Sequence, residues 1–533
     1  MFNSEEYKKA KEDFVSNLHG TSLTETLIIS VSPVFISAFS KLICHLFLSK
    51  TSTNIIRIIW EIITFLIPSI TLYCYPRETM IFIFGGIIFL MFYAYLRGKQ
   101  FLKPLDMNRL VQEKPFYINH IRANLVIQTC IAILAVDFPV FPRRLAKTEL
   151  FGKSIMDLGV SSFVYSNGIV SYPVRQSLSK LDEKSNEKSN EKSNQKSNEK
   201  SNEKSNEKSN EKSNEKSNEK SNQKSNEKSN EKSNQKSNEK SNEKSNEKSN
   251  EKSNQKSNQK SNQKSNQKSN QKSNEKSNQK SFIFRYFQGI FKTIISTSPL
   301  WIIGTLRLIG TKLTHYPEHL TEYGVHFNFF FVLAFLSILY SFVSPIFIAK
   351  YSFLFGTIVV VLHQIGLSYF GVANYIVNAK RTNFFSQNKE GFCGLPENEK
   401  TRNYSVYFVA FLDHNYFFLA TISSIYFLEE VSRTFVNFPF VMMSSSAIMN
   451  SSFMFLIVDC FIPGRSLLIF DLFNQNQLPL FLLANLFTGS VNFLIKTLYT
   501  PDILALLILL VYMMITVFSA FFLWKKNIKL KFW

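Results

Sequence analysis

Three acids and four cations fall within a short stretch directly after an apolar run. The stretch is AVDFPVFPRRLAKTELFGKSIMDLG, residues 135–159, and the run before it is IQTCIAILAV. The ionisable residues are Asp137, Arg143, Arg144, Lys147, Glu149, Lys153 and Asp157, with Pro139 and Pro142 between the first two. Charge at the end of a membrane span is costly, so it marks a functional site by default. Prolines break the helix and free backbone polar groups, which suits a cavity and not a lipid-facing surface. A carboxylate in a low-dielectric cavity can serve as a general base. A cation beside it can stabilise negative charge that develops in a transition state. Guanidinium groups bind phosphate oxygens bidentately. The plainer readings are a basic flank that orients a span, a simple salt bridge at Asp137, and interfacial anchoring by Arg143 and Arg144.

The elements that must position these residues are membrane helices. The chain-wide composition hides this, because residues 183–280 form an almost perfect EKSN or QKSN repeat with no apolar residue. Without that tract the charge is 36 Lys+Arg against 24 Asp+Glu, a net +12 instead of +21. What remains is rich in Phe, Ile and Leu. Apolar runs begin near Leu27, Ile55, Met80, Ala123, Ile155, Ile290, Val325, Tyr351, Tyr404, Val436, Pro479 and Ile503. A span needs about 20 residues, which predicts an all-α polytopic integral membrane helical bundle with about 12–13 transmembrane helices. The repeat cannot bury apolar area, and it reads as a disordered low-complexity loop insertion. The expected organisation is a polar N-terminal segment (1–26), five membrane helices carrying the charged segment (27–173), the repeat loop (174–281), the remaining membrane helices (282–524) and a basic tail (525–533). The N-terminal MFNSEEYKKAKEDF is too polar for a cleavable signal peptide. Five Cys show no CxxC pair and read as buried apolar residues.

Charge also bears on partners and sidedness. No basic stretch has aromatic interleaving outside a hydrophobic span, which argues against nucleic acid as a partner. The bilayer itself is the expected surroundings, and no protein partner is indicated. Residues 97–122 carry six cations and the segment after the fourth span carries four. These two lie on opposite sides of one span, so the positive-inside rule cannot place both in the cytoplasm. The longer loop and the tail KKNIKLKFW are the better cytoplasmic candidates, which requires an odd number of spans. The cations of the Asp137 segment then need another use, such as holding phosphates.

The same segment resembles the signature of the GPI-anchor inositol acyltransferases, the Gwt1/PIG-W family. Other elements agree with it: KEDFVSNLHGTSLTE (11–25), RANLVIQTC (122–130), GTLRLIGTKLTHYPEHLTEYGVHFNFFF (304–331), RTNFFSQNKEGFCGLPEN (381–398) and FLLANLFTGSVNF (481–493). Phe327 stands where the family usually has Trp. The resemblance covers nearly everything except 174–281 and part of 405–465. It implies transfer of a long-chain acyl group from acyl-CoA to the inositol hydroxyl of glucosaminyl-phosphatidylinositol, in the endoplasmic reticulum membrane. It implies no metal and no cofactor, acyl-CoA being a co-substrate. The family's catalytic pair maps onto Asp137, as general base, and Lys147, as the group that stabilises the transition state. Arg143 and Arg144 are candidates for the phosphate of CoA or of the lipid. Lys153, Asp157, Arg122, Glu322, His326 and Asn328 are further candidates for substrate binding.

Competing readings attach to other residues. His315 and His319 with Glu318 and Glu322 could suggest a metal, but Pro317 interrupts the helix and no third ligand is evident. His363 reads as a hydrogen-bonded core histidine. Asp413 and His414 have no assigned role. A transporter or lipid carrier could use the same charged cavity, although such proteins more often show related halves, and none is visible here. Deleting residues 183–280 is expected to leave acyl transfer largely intact. A deletion variant that inserts normally but is inactive would show that the repeat is more than a tolerated insertion.

Overall fold

The computed structural model describes residues 4–48, 53–98, 116–170, 287–310, 323–343, 352–389, 429–462 and 466–530. Residues 1–171 with 293–533 make one compact unit, and 172–292 make a second, of which only 287–292 are described. The described residues are helical, with a single isolated bridge between Gly20 and Lys153. In chain order the helices are α1 (Ser4–Phe14), α2 (Leu23–Phe47), α3 (Asn54–Cys74), α4 (Pro76–Leu96), α5 (Phe116–Ala135) and α6 (Leu158–Val170). They continue with α7 (Phe287–Gly310), α8 (Phe329–Val343), α9 (Ser352–Tyr369), α10 (Val372–Asn378) and α11 (Phe384–Gln387). The last are α12 (Phe438–Phe461), α13 (Leu468–Gln475), α14 (Gln477–Leu494) and α15 (Asp502–Lys525).

Among the described residues, eight helices are long and apolar enough to cross a bilayer, or nine if one bent pair is a single span. The bent pair lies within α9 and α10, which meet at 66°. Gly371 sits at that break with φ +68°, where a side chain is disfavoured. The run expected near Ile155 becomes α6, of 13 residues, and the run near Val325 becomes α8, of 15 residues. The run expected near Tyr404 lies outside the described residues, as do His315, His319, Asp413 and His414. Local signals start several spans. Ser22 caps α2 by accepting from Glu25 N–H, and Asn437 caps α12 by accepting from Phe440 N–H. In α3 the backbone widens to a π turn at Ile62–Leu66, just before Pro68. Pro has no N–H to give the preceding turn, and a π turn accommodates that loss.

Helix α5 is the axis of the bundle. It packs against α3, α6, α12, α13, α14 and α15. Its two ends carry different chemistry. At its start, His120 Nδ1 lies 2.8 Å from Asp459 Oδ2, and Lys41 Nζ donates to Asp459 Oδ1 at 2.9 Å. His120 also packs against the rings of Phe455 and Phe470. At the same end, fully buried Glu61 accepts from the backbone N–H groups of Leu468 and Ile469, both at 2.8 Å. That places a carboxylate at the N-terminus of α13, where the helix dipole favours it. Arg57 pairs with the same carboxylate at 2.9 Å. Intramembrane charges are tolerated only when paired in this way.

The chain alternates between the two ends. The tail after α15 returns to the His120 end, where Asn476 accepts from Leu530 N–H and donates to the Ile528 carbonyl. Helix α1 and Asp137 lie at the other end.

At the Asp137 end the chain before α2 docks on the segment before α6. Thr21 N–H donates to the Lys153 carbonyl at 2.6 Å, and the two strands of chain approach so closely that only glycine fits on either side. Gly20 (φ +80°) would collide through a Cβ with the Lys153 carbonyl, and Gly152 (φ +138°) with that of His19. At the far end, Asp459→Asn should leave Lys41, which is almost wholly buried, without its countercharge. A broken buried pair costs about 3–5 kcal/mol. Thermal unfolding in detergent should show a clear drop in midpoint; an unchanged midpoint would mean that Lys41 finds another partner.

Candidate active site

The site is built on the non-helical chain between α5 and α6. Helix α5 ends at Ala135 and the backbone turns sharply: Asp137 N–H donates to the Leu134 carbonyl and Phe138 N–H to that of Ala135. Phe138 and Phe141 are fully buried and anchor the turn. Arg143 closes it. Its Nη2 donates to the carbonyls of Val136 (2.8 Å), Phe138 (3.4 Å) and Phe141 (3.2 Å). Its guanidinium lies 4.0 Å over the ring of Phe14 from α1. Burial lowers its pKa to about 10, and the charge of Asp137 opposes the shift, so Arg143 stays a cation at neutral pH. Its Nη1 is buried and has no hydrogen-bond partner among the described residues.

A second clamp holds the chain that follows. Buried Asp157 accepts from Thr148 N–H (3.1 Å), the Thr148 hydroxyl (3.0 Å), the Ser154 hydroxyl (2.8 Å) and Arg433 Nε (3.0 Å). Arg433 also donates to the Thr148 carbonyl at 3.1 Å. The Thr434 hydroxyl donates to the Glu149 carbonyl at 2.7 Å, Gly152 N–H donates to the Val431 carbonyl at 2.9 Å, and the Ser432 hydroxyl donates to the Leu150 carbonyl. The segment before α12 is therefore the template on which residues 148–157 are laid.

These clamps frame a cavity of about 1840 Å³. One face of α5 forms a wall, through Ile121, Asn124, Gln128, Ala132, Val136 and their neighbours at helical spacing. From Ile121 to Ile133 that wall runs about 18 Å along the helix axis. Aromatic and aliphatic side chains of α6, α8, α12 and α14 make the rest of it largely apolar, including Phe163, Phe329, Phe330, Phe455 and Phe481. Charge gathers at one end. Lys11, Arg143, Lys147, Arg307, Arg381 and Arg433 line the cavity, against the acids Glu12, Asp137 and Glu149.

Asp137 is held from two other elements. Asn492 Nδ2 on α14 donates to its Oδ2 at 2.7 Å, and Lys11 Nζ on α1 pairs with its Oδ1 at 3.5 Å. Lys147 lines the same cavity, so the expected base and charge stabiliser share one space.

The other residues expected at the site divide. Arg143 lines the cavity, but most of its donors bind the turn. Arg144 is not among the lining residues; it is 42% exposed and chelates Glu25 of α2, with contacts of 3.1–3.3 Å. Asp157 belongs to the clamp, and the Lys153 backbone holds the N-terminal segment. Arg122 donates to the Ser166 hydroxyl at 3.3 Å, joining α5 to α6. Asn328 caps α8, accepting from Phe330 N–H at 3.1 Å and donating to the Gly304 carbonyl at 2.8 Å. His326 pairs with Gln387 at 3.1 Å, while its N–H donates to Asn388 Oδ1 at 2.7 Å. The YGVHFN and FFSQN elements thus bind each other. Glu322 lies outside the described residues. His363 lies 3.0 Å from the Phe435 carbonyl through Nε2, as a core histidine would. Among the described residues, no group of three or more His, Cys, Asp or Glu is placed to hold a metal.

Lys11, Asn492 and Arg433 had no role assigned from sequence. Lys11 and Asn492 do lie inside two of the quoted elements, KEDFVSNLHGTSLTE and FLLANLFTGSVNF. Arg433 sits in the stretch where the resemblance fades, and only its partner Asp157 betrays it.

A bundle of membrane helices around an intramembrane cavity, charged at one end and apolar along its length, defines a multi-pass membrane protein built to handle lipid. The GWT1 family profile matches residues 7–205, 258–398 and 396–523. A protein of Dictyostelium discoideum named phosphatidylinositol-glycan biosynthesis class W protein is 33% identical over 99% of this chain and 100% of its own. GPI-anchored wall transfer protein 1 is 26% identical in Candida albicans (99% of this chain, 100% of its own) and 26% in Saccharomyces cerevisiae (98% and 99%). The chain belongs to the GWT1 family.

The geometry separates the two arginines experimentally. Arg143→Ala removes charged donors to three carbonyls, each such bond being worth about 1.5–3 kcal/mol, and should unfold the turn and abolish function. Arg144→Ala removes a half-exposed ion pair worth about 1 kcal/mol at most and should be nearly silent in both thermal unfolding and activity.

Proposed function

We propose that this protein is a membrane O-acyltransferase of GPI-anchor biosynthesis. It moves a long-chain acyl group from acyl-CoA to the inositol hydroxyl of glucosaminyl-phosphatidylinositol, in the endoplasmic reticulum membrane. The observation that carries this reading is the presence of Asp137 and Lys147 on the wall of one cavity whose remaining lining is mostly apolar. The names of the full-length relatives, which refer to phosphatidylinositol-glycan biosynthesis and to GPI-anchored wall transfer, support it.

The chemistry follows from the side chains. An inositol hydroxyl is a weak nucleophile, and Asp137 takes its proton as the oxygen attacks the thioester carbonyl carbon. The carbonyl oxygen gains a full negative charge in the tetrahedral intermediate, and the Lys147 ammonium stabilises it. Collapse of the intermediate reforms the carbonyl, breaks the C–S bond and releases CoA as a thiolate. The proton held by Asp137 then neutralises the thiolate. The ester product and free CoA account for every atom. The apolar groove along α5 suits a hydrocarbon chain, and the excess of cations at its charged end suits phosphate groups.

The test is an assay in membranes with acyl-CoA and glucosaminyl-phosphatidylinositol, scored for an acylated inositol. Asp137→Asn keeps the shape and removes the base, so turnover should fall by about 10²–10⁴-fold with the protein still folded. Lys147→Ala should lower turnover more than it weakens acyl-CoA binding. Normal turnover by Asp137→Asn would remove the carboxylate from the mechanism, and a loss confined to binding would make Lys147 an anchor.

A further inference from the structure

We propose that Lys11 and Asn492 are positioning residues for Asp137, which makes α1 a working part of the active site. The inference rests on the reading of Asp137 as the base.

One face of α1 is dedicated to the site. Tyr7, Lys11 and Phe14 recur at i, i+4 and i+7, which places them on one side of a helix. Each meets a different part of the Asp137 end. Tyr7 packs against Tyr499 with ring centroids 5.7 Å apart, and Lys496 Nζ lies 5.7 Å from the Tyr7 ring centre. Lys11 reaches Asp137, and Phe14 lies under Arg143. Glu6, Lys9 and Asp13 are exposed. Beyond the helix, Asn17 N–H donates to Glu149 Oε1 at 2.8 Å, and the Gly20–Lys153 bridge fixes the end of the segment. The helix is thus held over the charged end of the cavity from its first turn to its last.

The three polar groups form a closed set. Asn492 Oδ1 accepts from Lys11 Nζ at 3.0 Å and from the Thr497 hydroxyl at 3.4 Å. With two donors on its oxygen, the amide must turn its NH₂ toward Asp137, where it donates to Oδ2 at 2.7 Å. Lys11 faces Oδ1. An ionised carboxylate has about four acceptor positions, so these contacts orient it and still leave room for a substrate hydroxyl. Neither residue needs to touch substrate. Lys11 holds one carboxylate oxygen and Asn492 the other, and together they fix the plane in which the carboxylate takes a proton.

Lys11 and Arg143 are cations that act on Asp137, while α14 contributes the neutral donor Asn492. Removing Lys11 or Asn492 therefore frees one oxygen of the carboxylate to turn, which should lower turnover without changing how tightly the substrates bind.

The experiment measures kcat and KM for acyl transfer by the full-length protein in membranes, with wild type, Lys11→Met, Lys11→Arg, Asn492→Ala, Asn492→Asp and Asp137→Asn. In Lys11→Met turnover per folded molecule should fall about tenfold or more, with KM for both substrates nearly constant. Lys11→Arg should restore most of the turnover. Asn492→Ala should lower turnover. Asn492→Asp, which keeps size and shape but removes the donor, should lower it likewise. A purely structural role would reduce the amount of folded protein and leave the turnover of the surviving enzyme in place; that result for both Lys11→Met and Asn492→Asp would overturn the inference. Asp137→Asn distinguishes the levels. If it retains turnover, the base reading fails and takes this inference with it. If it is inactive while the Lys11 and Asn492 variants keep wild-type turnover, only this inference fails.

Discussion

Non-helical backbone at the edge of a bilayer must find its hydrogen-bond partners inside the protein, since lipid offers none. That constraint governs the chain between α5 and α6, and much of the surrounding structure serves it. Arg143 satisfies the carbonyls of Val136, Phe138 and Phe141. Asp157 and Arg433 satisfy both polar groups of the Thr148 peptide. Thr434, Ser432 and the Val431 carbonyl serve Glu149, Leu150 and Gly152, and Thr21 serves Lys153. Two other stretches of sequence, residues 431–434 and the segment before α2, converge on about 20 residues of irregular chain, and the result is a carboxylate held still beside an open space. Several charges in the signature exist to meet this demand before they meet a substrate.

That explains which parts of the site could be read in the sequence. The helical class and the location of the charged segment were legible, because span-length apolar runs and intramembrane charge are local signals. Asp137 stood out as the first acid after such a run. The split between Arg143 and Arg144 was not legible. They are adjacent and chemically identical, yet one folds back on its own turn and the other reaches Glu25, 119 positions away. Asp157, Asn328, His326 and Arg122 have the residue types of a binding site and spend them on backbone or neighbouring helices. Residue type tells what a group can bind but not which partner is nearest. Lys11 was hidden for the opposite reason, since a lysine in a polar helix looks like any solvated charge until the helix is placed.

The two ends of α5 answer the same electrostatic problem differently. At the His120 end, two carboxylates are matched by cations or helix N–H groups: Asp459 by Lys41 and His120, Glu61 by Arg57 and the first turn of α13. No residue of these pairs lines the cavity. At the Asp137 end the carboxylate is only partly surrounded, and the cavity opens beside it. The paired charge at the His120 end is closed off from the groove; Asp137 is left with a side open to it.

The contact between Lys11 and Asn492 joins residues 481 positions apart. Lys11 is made long before Asn492, and Asp137 and Lys147 come between them in the chain. During synthesis, then, the growing protein carries the Asp137 carboxylate with Lys11 but without Asn492, and the set of contacts closes only when α14 joins the bundle. A chain released before α14 would hold the charged segment and lack the amide that bridges it to α1, so the order of synthesis sets the order in which these contacts form.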